Sequence, residues 1–121
     1  MANILTVDDS PGIRQMIKMM LAPAGHTVIE AGDGAQGLEK AKADRPDLVI
    51  TDLKMPVMNG LELIRALRTV PAFLGLPIVF VTSESSDAVR LEAEQAGAAG
   101  WIIKPFRRQQ LLAVVSELVG S

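Results

Sequence analysis

Residues 47–52 read Asp-Leu-Val-Ile-Thr-Asp. Leu48–Thr51 is a branched, largely apolar run, too short for a helix, with a carboxylate at either side. Such a run reads as a strand buried on both faces. Working outward, four more runs of this kind appear, at residues 4–7, 27–30, 78–81 and 101–103. Three of the five are nearly continuous in apolar residues, and their starts fall about twenty to thirty residues apart.

The intervening segments carry helical spacing. Ser10 can cap the first and Pro11 suits its first turn. Ile13, Met16, Ile17, Met20 and Leu21 then recur on one face until Pro23 and Gly25 stop it. The pattern predicts a second helix over about residues 33–43, with Leu38 and Ala41 inward and Pro46 as a stop. A third falls over about 59–69, burying Leu61, Ile64 and Leu67. The fifth, Arg108–Val119, buries Leu111, Leu112, Val115, Leu118 and Val119. The fourth, about 86–95, has only a thin stripe of Val89, Ala93 and Ala96, with Leu91 off it, so it should be the least firmly packed. Five strand–helix alternations imply an α/β fold, a doubly wound five-stranded parallel sheet with helices on both faces.

Composition narrows the function. The 121 residues make one domain, 1–121, with no room for a separate output domain. Lys+Arg is 12 and Asp+Glu is 14, a net charge of −2. That balance gives no field to attract nucleic acid or an anionic membrane. The absence of cysteine excludes thiolate chemistry, and a single histidine excludes a multi-histidine zinc site. With no apolar run of membrane-spanning length and no signal-peptide pattern, a cytoplasmic location is expected.

In open α/β sheets, ligands bind beyond the carboxyl ends of the strands. Those positions hold Asp8, Asp9 and Ser10, then Asp52, then Thr82 and Ser83, then Lys104 and Pro105. Two like charges about 4 Å apart repel by about 4 kcal/mol at an effective dielectric of about 20. Three crowded carboxylates therefore call for a cation, and hard oxygen donors favour Mg²⁺ or Mn²⁺ over zinc. Asp52 is the candidate nucleophile, able to accept a phosphoryl group, with Lys104 and the metal neutralising charge on the transferring oxygens. His26 lies at the opposite, amino end of the sheet and reads as structural.

Taken together, these residues resemble the receiver domain of two-component response regulators, in particular the single-domain, CheY-like type. The matching pieces are Val7-Asp8-Asp9-Ser10, Asp47 to Asp52, Met55-Pro56 with Asn59-Gly60, Pro77 to Thr82, and Gly100 to Phe106. They cover the chain end to end in the family's order. The resemblance implies a flavodoxin-like (βα)5 fold with strand order 2-1-3-4-5. It makes Asp52 the phosphoacceptor and Asp9 a direct metal ligand, with Asp8 acting through water and the Lys54 backbone carbonyl completing the site. Thr82 becomes the switch hydroxyl and Lys104 its ion-pairing companion, with a cis Lys104–Pro105 bond. Lys54 and Glu84 fall where side chains affect how water reaches the phosphorylated residue, so an ion pair between them is expected to lengthen its lifetime. The second switch position falls on Trp101, where the family usually has Tyr or Phe. Trp101 is therefore either a switch or an edge aromatic packed on the fifth helix. The implied donor is a histidine kinase or a phosphotransfer protein. The implied output is a protein target on the face formed by the fourth helix, fifth strand and fifth helix, in chemotaxis or another pathway.

Alternatives inside and outside the family remain. A receiver can serve as a phosphate sink or relay without its own output partner. A Mg²⁺-dependent phosphohydrolase with an aspartate nucleophile needs a second Asp two residues on, where this chain has Lys54. An FMN binder needs a Ser/Thr/Gly-rich loop after the first strand, where Asp8 and Asp9 would repel a phosphate.

Overall fold

In the computed structural model, which describes residues 2–120, five strands alternate with five helices. The strands are β1 (Asn3–Val7), β2 (Thr27–Ala31), β3 (Leu48–Thr51), β4 (Ile78–Thr82) and β5 (Gly100–Ile103). The helices are α1 (Pro11–Leu21), α2 (Gly34–Asp44), α3 (Gly60–Arg68), α4 (Asp87–Gln95) and α5 (Arg108–Val119). All pairings are parallel, in the order β2-β1-β3-β4-β5. No helix among the described residues is long and apolar enough to cross a membrane.

Strand alternation divides the core into two layers. Leu5, Val7, Val49, Ile78 and Phe80 point to the side covered by α2, α3 and α4. Ile4, Leu48, Ile50, Val79, Val81 and Ile102 point to the side covered by α1 and α5. β3 and β4 are buried along their whole length, as central strands of a parallel sheet must be.

The helix signals act as local chemistry requires. The Ser10 hydroxyl accepts from Ile13 N at 3.3 Å, and Pro11 opens α1. α1 stops at Leu21 and tightens into a 3₁₀ turn, Ala22–Ala24, before Gly25 turns left-handed at φ 94°. Asn59 and Glu62 form a reciprocal capping box at α3. The buried stripe of α3 is Gly60, Leu63, Ile64 and Leu67. Leu61, expected in that stripe, is rotated off it and helps line a groove between α3 and α4. Gly60 is needed because a Cβ there would collide with the Asp52 carbonyl oxygen and the Phe80 ring. In α4 only Ala93 is buried, and Leu91 is 54% exposed, in line with the thin stripe. At the amino end of the sheet, Ala2, Asp47, Pro77, Leu118 and Val119 line a shallow depression.

Candidate functional site

Strand register assembles the site. Val7 pairs with Thr51, so the next residues, Asp8 and Asp52, emerge side by side at the carboxyl edge. Thr82 pairs with Ile103, so Lys104 follows beside it, and Lys104 N donates to the Thr82 carbonyl at 2.8 Å. One carboxylate oxygen from each of Asp8, Asp9 and Asp52 lies within 4.8 Å of the others. Asp8 is 2% exposed, Asp52 is partly buried and Asp9 is open to solvent.

Lys104 bridges the two inner acids. Its Nζ donates to Asp8 Oδ2 at 2.9 Å and to Asp52 Oδ2 at 3.0 Å. The other oxygens are held by backbone: Asp8 Oδ1 accepts from Ser10 N at 2.9 Å, and Asp52 Oδ1 from Leu53 N at 2.7 Å. Burial raises the Asp8 pKa above its usual value; the Ser10 N–H and Lys104 oppose the rise without cancelling it, and the Asp52 charge adds to it. For Lys104, burial alone pulls the pKa down, but Asp8 and Asp52 outweigh it and hold the ammonium above the ordinary lysine range. The cation is thus firmly charged, yet one ammonium faces three carboxylates. The donor set is all hard oxygen, carries surplus negative charge and opens to solvent through Asp9. It fits Mg²⁺.

The Thr82 side chain sits buried at the β4 edge, its Oγ1 accepting from Glu84 N at 3.2 Å. Lys54 Nζ lies 3.7 Å from Glu84 Oε2, with the lysine side chain 81% exposed, so the pair is a loose one. The Lys104–Pro105 peptide is cis. Trp101 is half-buried, its ring 5.6 Å from that of Phe80. It packs on the layer beneath α2, α3 and α4, because strand alternation sends Ile102, not Trp101, toward α5. The expectation that Trp101 packs on the fifth helix is therefore corrected: its neighbours include Arg90 and Glu94 of α4. His26 is buried just before β2, at the end of the sheet away from the acids.

Two residues beside the site, Arg14 and Glu30, carry no sequence signal of their own. Arg14, on the first turn of α1, donates from Nη1 to the Asp8 carbonyl at 2.6 Å and from Nε to Glu30 Oε1 at 3.2 Å. Helical periodicity alone leaves Arg14 as a polar residue between inward positions. Only the β1–β2 register, which sets Thr6 beside Glu30, shows why it turns inward.

Comparison with known proteins agrees with this arrangement. The model of the response regulator receiver domain matches residues 4–116. The chain is 37% identical to the chemotaxis protein CheY of Pseudomonas aeruginosa over 116 residues, covering 95% of this chain and 94% of that protein. Vibrio cholerae CheY4 superposes with a TM-score of 0.93 at 41% identity, covering 98% of both chains. The receiver domain of the P. aeruginosa sensor histidine kinase PA1611, whose structure has a magnesium ion coordinated in the active site cleft, gives 0.91 at 30% identity, covering 99% of this chain and 98% of that one. The chain spans about half the length of the DNA-binding response regulators it also matches, and 7% of a Dictyostelium discoideum hybrid histidine kinase.

Proposed function

Because the chain belongs to the response regulator receiver domain family, we propose that it works as a stand-alone phosphorylation switch with Asp52 as the phosphoacceptor. The observation that carries this reading is the set of three carboxylates within 4.8 Å with Lys104 tied to two of them. An Asp52 carboxylate oxygen attacks the phosphorus of a phosphohistidine on a histidine kinase or phosphotransfer protein. The P–O bond to Asp52 forms as the P–N bond to the imidazole breaks, and the donor imidazole leaves with its electron pair. Asp9, Asp52 and the Lys54 carbonyl, with Asp8 acting through water, would hold Mg²⁺, which would supply a Lewis acid to offset charge on the phosphoryl oxygens. Lys104, fixed in its charged form, meets the same oxygens from the protein side. Hydrolysis is a second displacement with water as the nucleophile: the bond from the water oxygen to phosphorus forms as the bond to Asp52 breaks, the Asp52 carboxylate is regenerated, and inorganic phosphate departs with the water's protons shared between it and solvent. The Lys54–Glu84 pair lies over that approach and slows it.

The new dianionic group draws the Thr82 hydroxyl toward it, freeing Glu84 N and the start of the loop into α4. Trp101 responds as the second switch position, and a protein target reads the change on α4, β5 and α5. The setting is the cytoplasm, and chemotaxis is the pathway the resemblance to CheY favours. Intact-mass spectrometry after incubation with acetyl phosphate tests the chemistry. The expected result is a Mg²⁺-dependent gain of one phosphoryl group, absent in Asp52→Asn. A gain that survives Asp52→Asn would overturn the assignment.

A further inference from the structure

We propose that Arg14 is a positioning residue for the acidic site: it fixes the peptide joining Asp8 to Asp9 and so presents the Asp9 carboxylate to its two neighbours. The inference rests on the metal-binding reading above.

The Asp8 carbonyl oxygen belongs to that very peptide, and Arg14 Nη1 donates to it at 2.6 Å. On the other side of the guanidinium, Nε donates to Glu30 Oε1 at 3.2 Å. Glu30 is on β2, and its own carbonyl accepts from Lys40 Nζ, so the clamp is anchored on a second strand. Arg14 is itself held in the first turn of α1 by its N–H to Ser10 O at 3.1 Å. Asp8 is fixed independently, by Asp8 N to Ala31 O at 3.1 Å, by Ser10 N and by Lys104. Asp9 has no comparable support. Its carboxylate is solvent-exposed, yet lies within the 4.8 Å cluster. With the Asp8 side pinned, the orientation of the following peptide decides where the Asp9 side chain starts. Arg14 holds that peptide. Groups that orient a metal ligand without touching the ion typically matter about 10- to 100-fold in metal affinity.

The sign of the effect separates positioning from simple charge. Arg14 is a cation bound to the backbone carbonyl of Asp8, next to the acidic cluster, so by Coulomb attraction alone its removal strengthens the pull on Mg²⁺. Positioning predicts the opposite. Calorimetric titration of Mg²⁺ into the full chain decides the matter, using wild type, Arg14→Met, Arg14→Lys and Asp9→Asn. Arg14→Lys keeps the charge, but one ammonium cannot reproduce the forked contact to both Asp8 O and Glu30. The expected result is a Kd about 10- to 100-fold weaker in both Arg14 variants, with unchanged stoichiometry. A fall in stoichiometry at the wild-type Kd would mean that Arg14 serves only folding and would overturn the proposal. Unchanged or tighter binding in the Arg14 variants, beside weakened binding in Asp9→Asn, would also overturn it while leaving the receiver reading intact. Failure of the wild type to bind Mg²⁺ would sink both.

Discussion

Val57 occupies the left-handed region at φ 69° while its side chain is 83% exposed, in the loop that follows Asp52. A β-branched side chain there collides with its own backbone, at roughly 1–2 kcal/mol, and gains no burial in return. Asn tolerates the same conformation, so Val57→Asn should stabilise the fold by about 1 kcal/mol. Urea unfolding checks this: the midpoint rises with the slope unchanged, and an unmoved midpoint would mean the loop relaxes at no cost. Asp8 makes a different prediction. Its folded pKa is raised, so the native state holds this proton more tightly than the unfolded chain does. Stability from this group is therefore present below its unfolded value near 3.8 and is lost as pH rises through the folded value. Metal binding runs the other way, because the ion needs the carboxylate ionised. The rise in Tm on adding Mg²⁺ should begin to shrink on acidification before the ordinary carboxylate range is reached. Persistence of the full rise down to pH about 4 would contradict the raised value.

Among the elements, α4 is held by polar ties more than by packing. Arg65 of α3 pairs with Glu92 at 2.7 Å across an exposed gap. Arg68, one turn on, donates to Gly97 O at 2.9 Å beyond the end of α4 and to Phe73 O at 2.6 Å. The first pair is exposed and contributes under about 1 kcal/mol. The second arginine is partly buried, which lowers its pKa, and it serves two carbonyls at once. Arg68→Ala should cost about 2 kcal/mol, since hydrogen bonds from a charged donor are the stronger kind. Amide exchange is the measurement: α4 should lose protection first, with β3 and β4 following only at global unfolding. Uniform loss across the chain would show that Arg68 supports the whole fold and not this helix. A helix secured at its far end by one side chain, and elsewhere by a thin apolar stripe, is suited to the shift proposed to follow from Thr82.

At the scale of the whole molecule, the five parallel strands and the carboxyl-edge collection of Asp8, Asp52, Thr82 and Lys104 were legible because buried parallel strands write themselves as short apolar runs, whereas the strand order came from the resemblance to receiver domains. Register follows from packing, since a slip of one residue would exchange the side chains fitted to the α2–α3–α4 layer with those fitted to the α1–α5 layer. What was not legible depends on which face of a strand or helix a residue meets. Trp101 sits under α4 because of β5 alternation, Leu61 turns aside because Leu63 takes its place, and Arg14 turns inward because Glu30 waits on the neighbouring strand. The strain at Val57 is invisible for another reason: Val57 is the centre of a tight turn closed by Met58 N donating to the Pro56 carbonyl at 2.7 Å, and Gly34 N at the start of α2 holds the Met58 carbonyl at 3.0 Å. The sheet also separates its two ends completely. Every residue of the site stands at the carboxyl edge, while Ala2 and Val119 share one depression at the other. The opposite end carries Gly75, whose Cα faces open space. Chain order is thus not what the site depends on: the two ends could be spliced and the polypeptide reopened at Gly75, and the four loops that carry the chemistry would stay uncut.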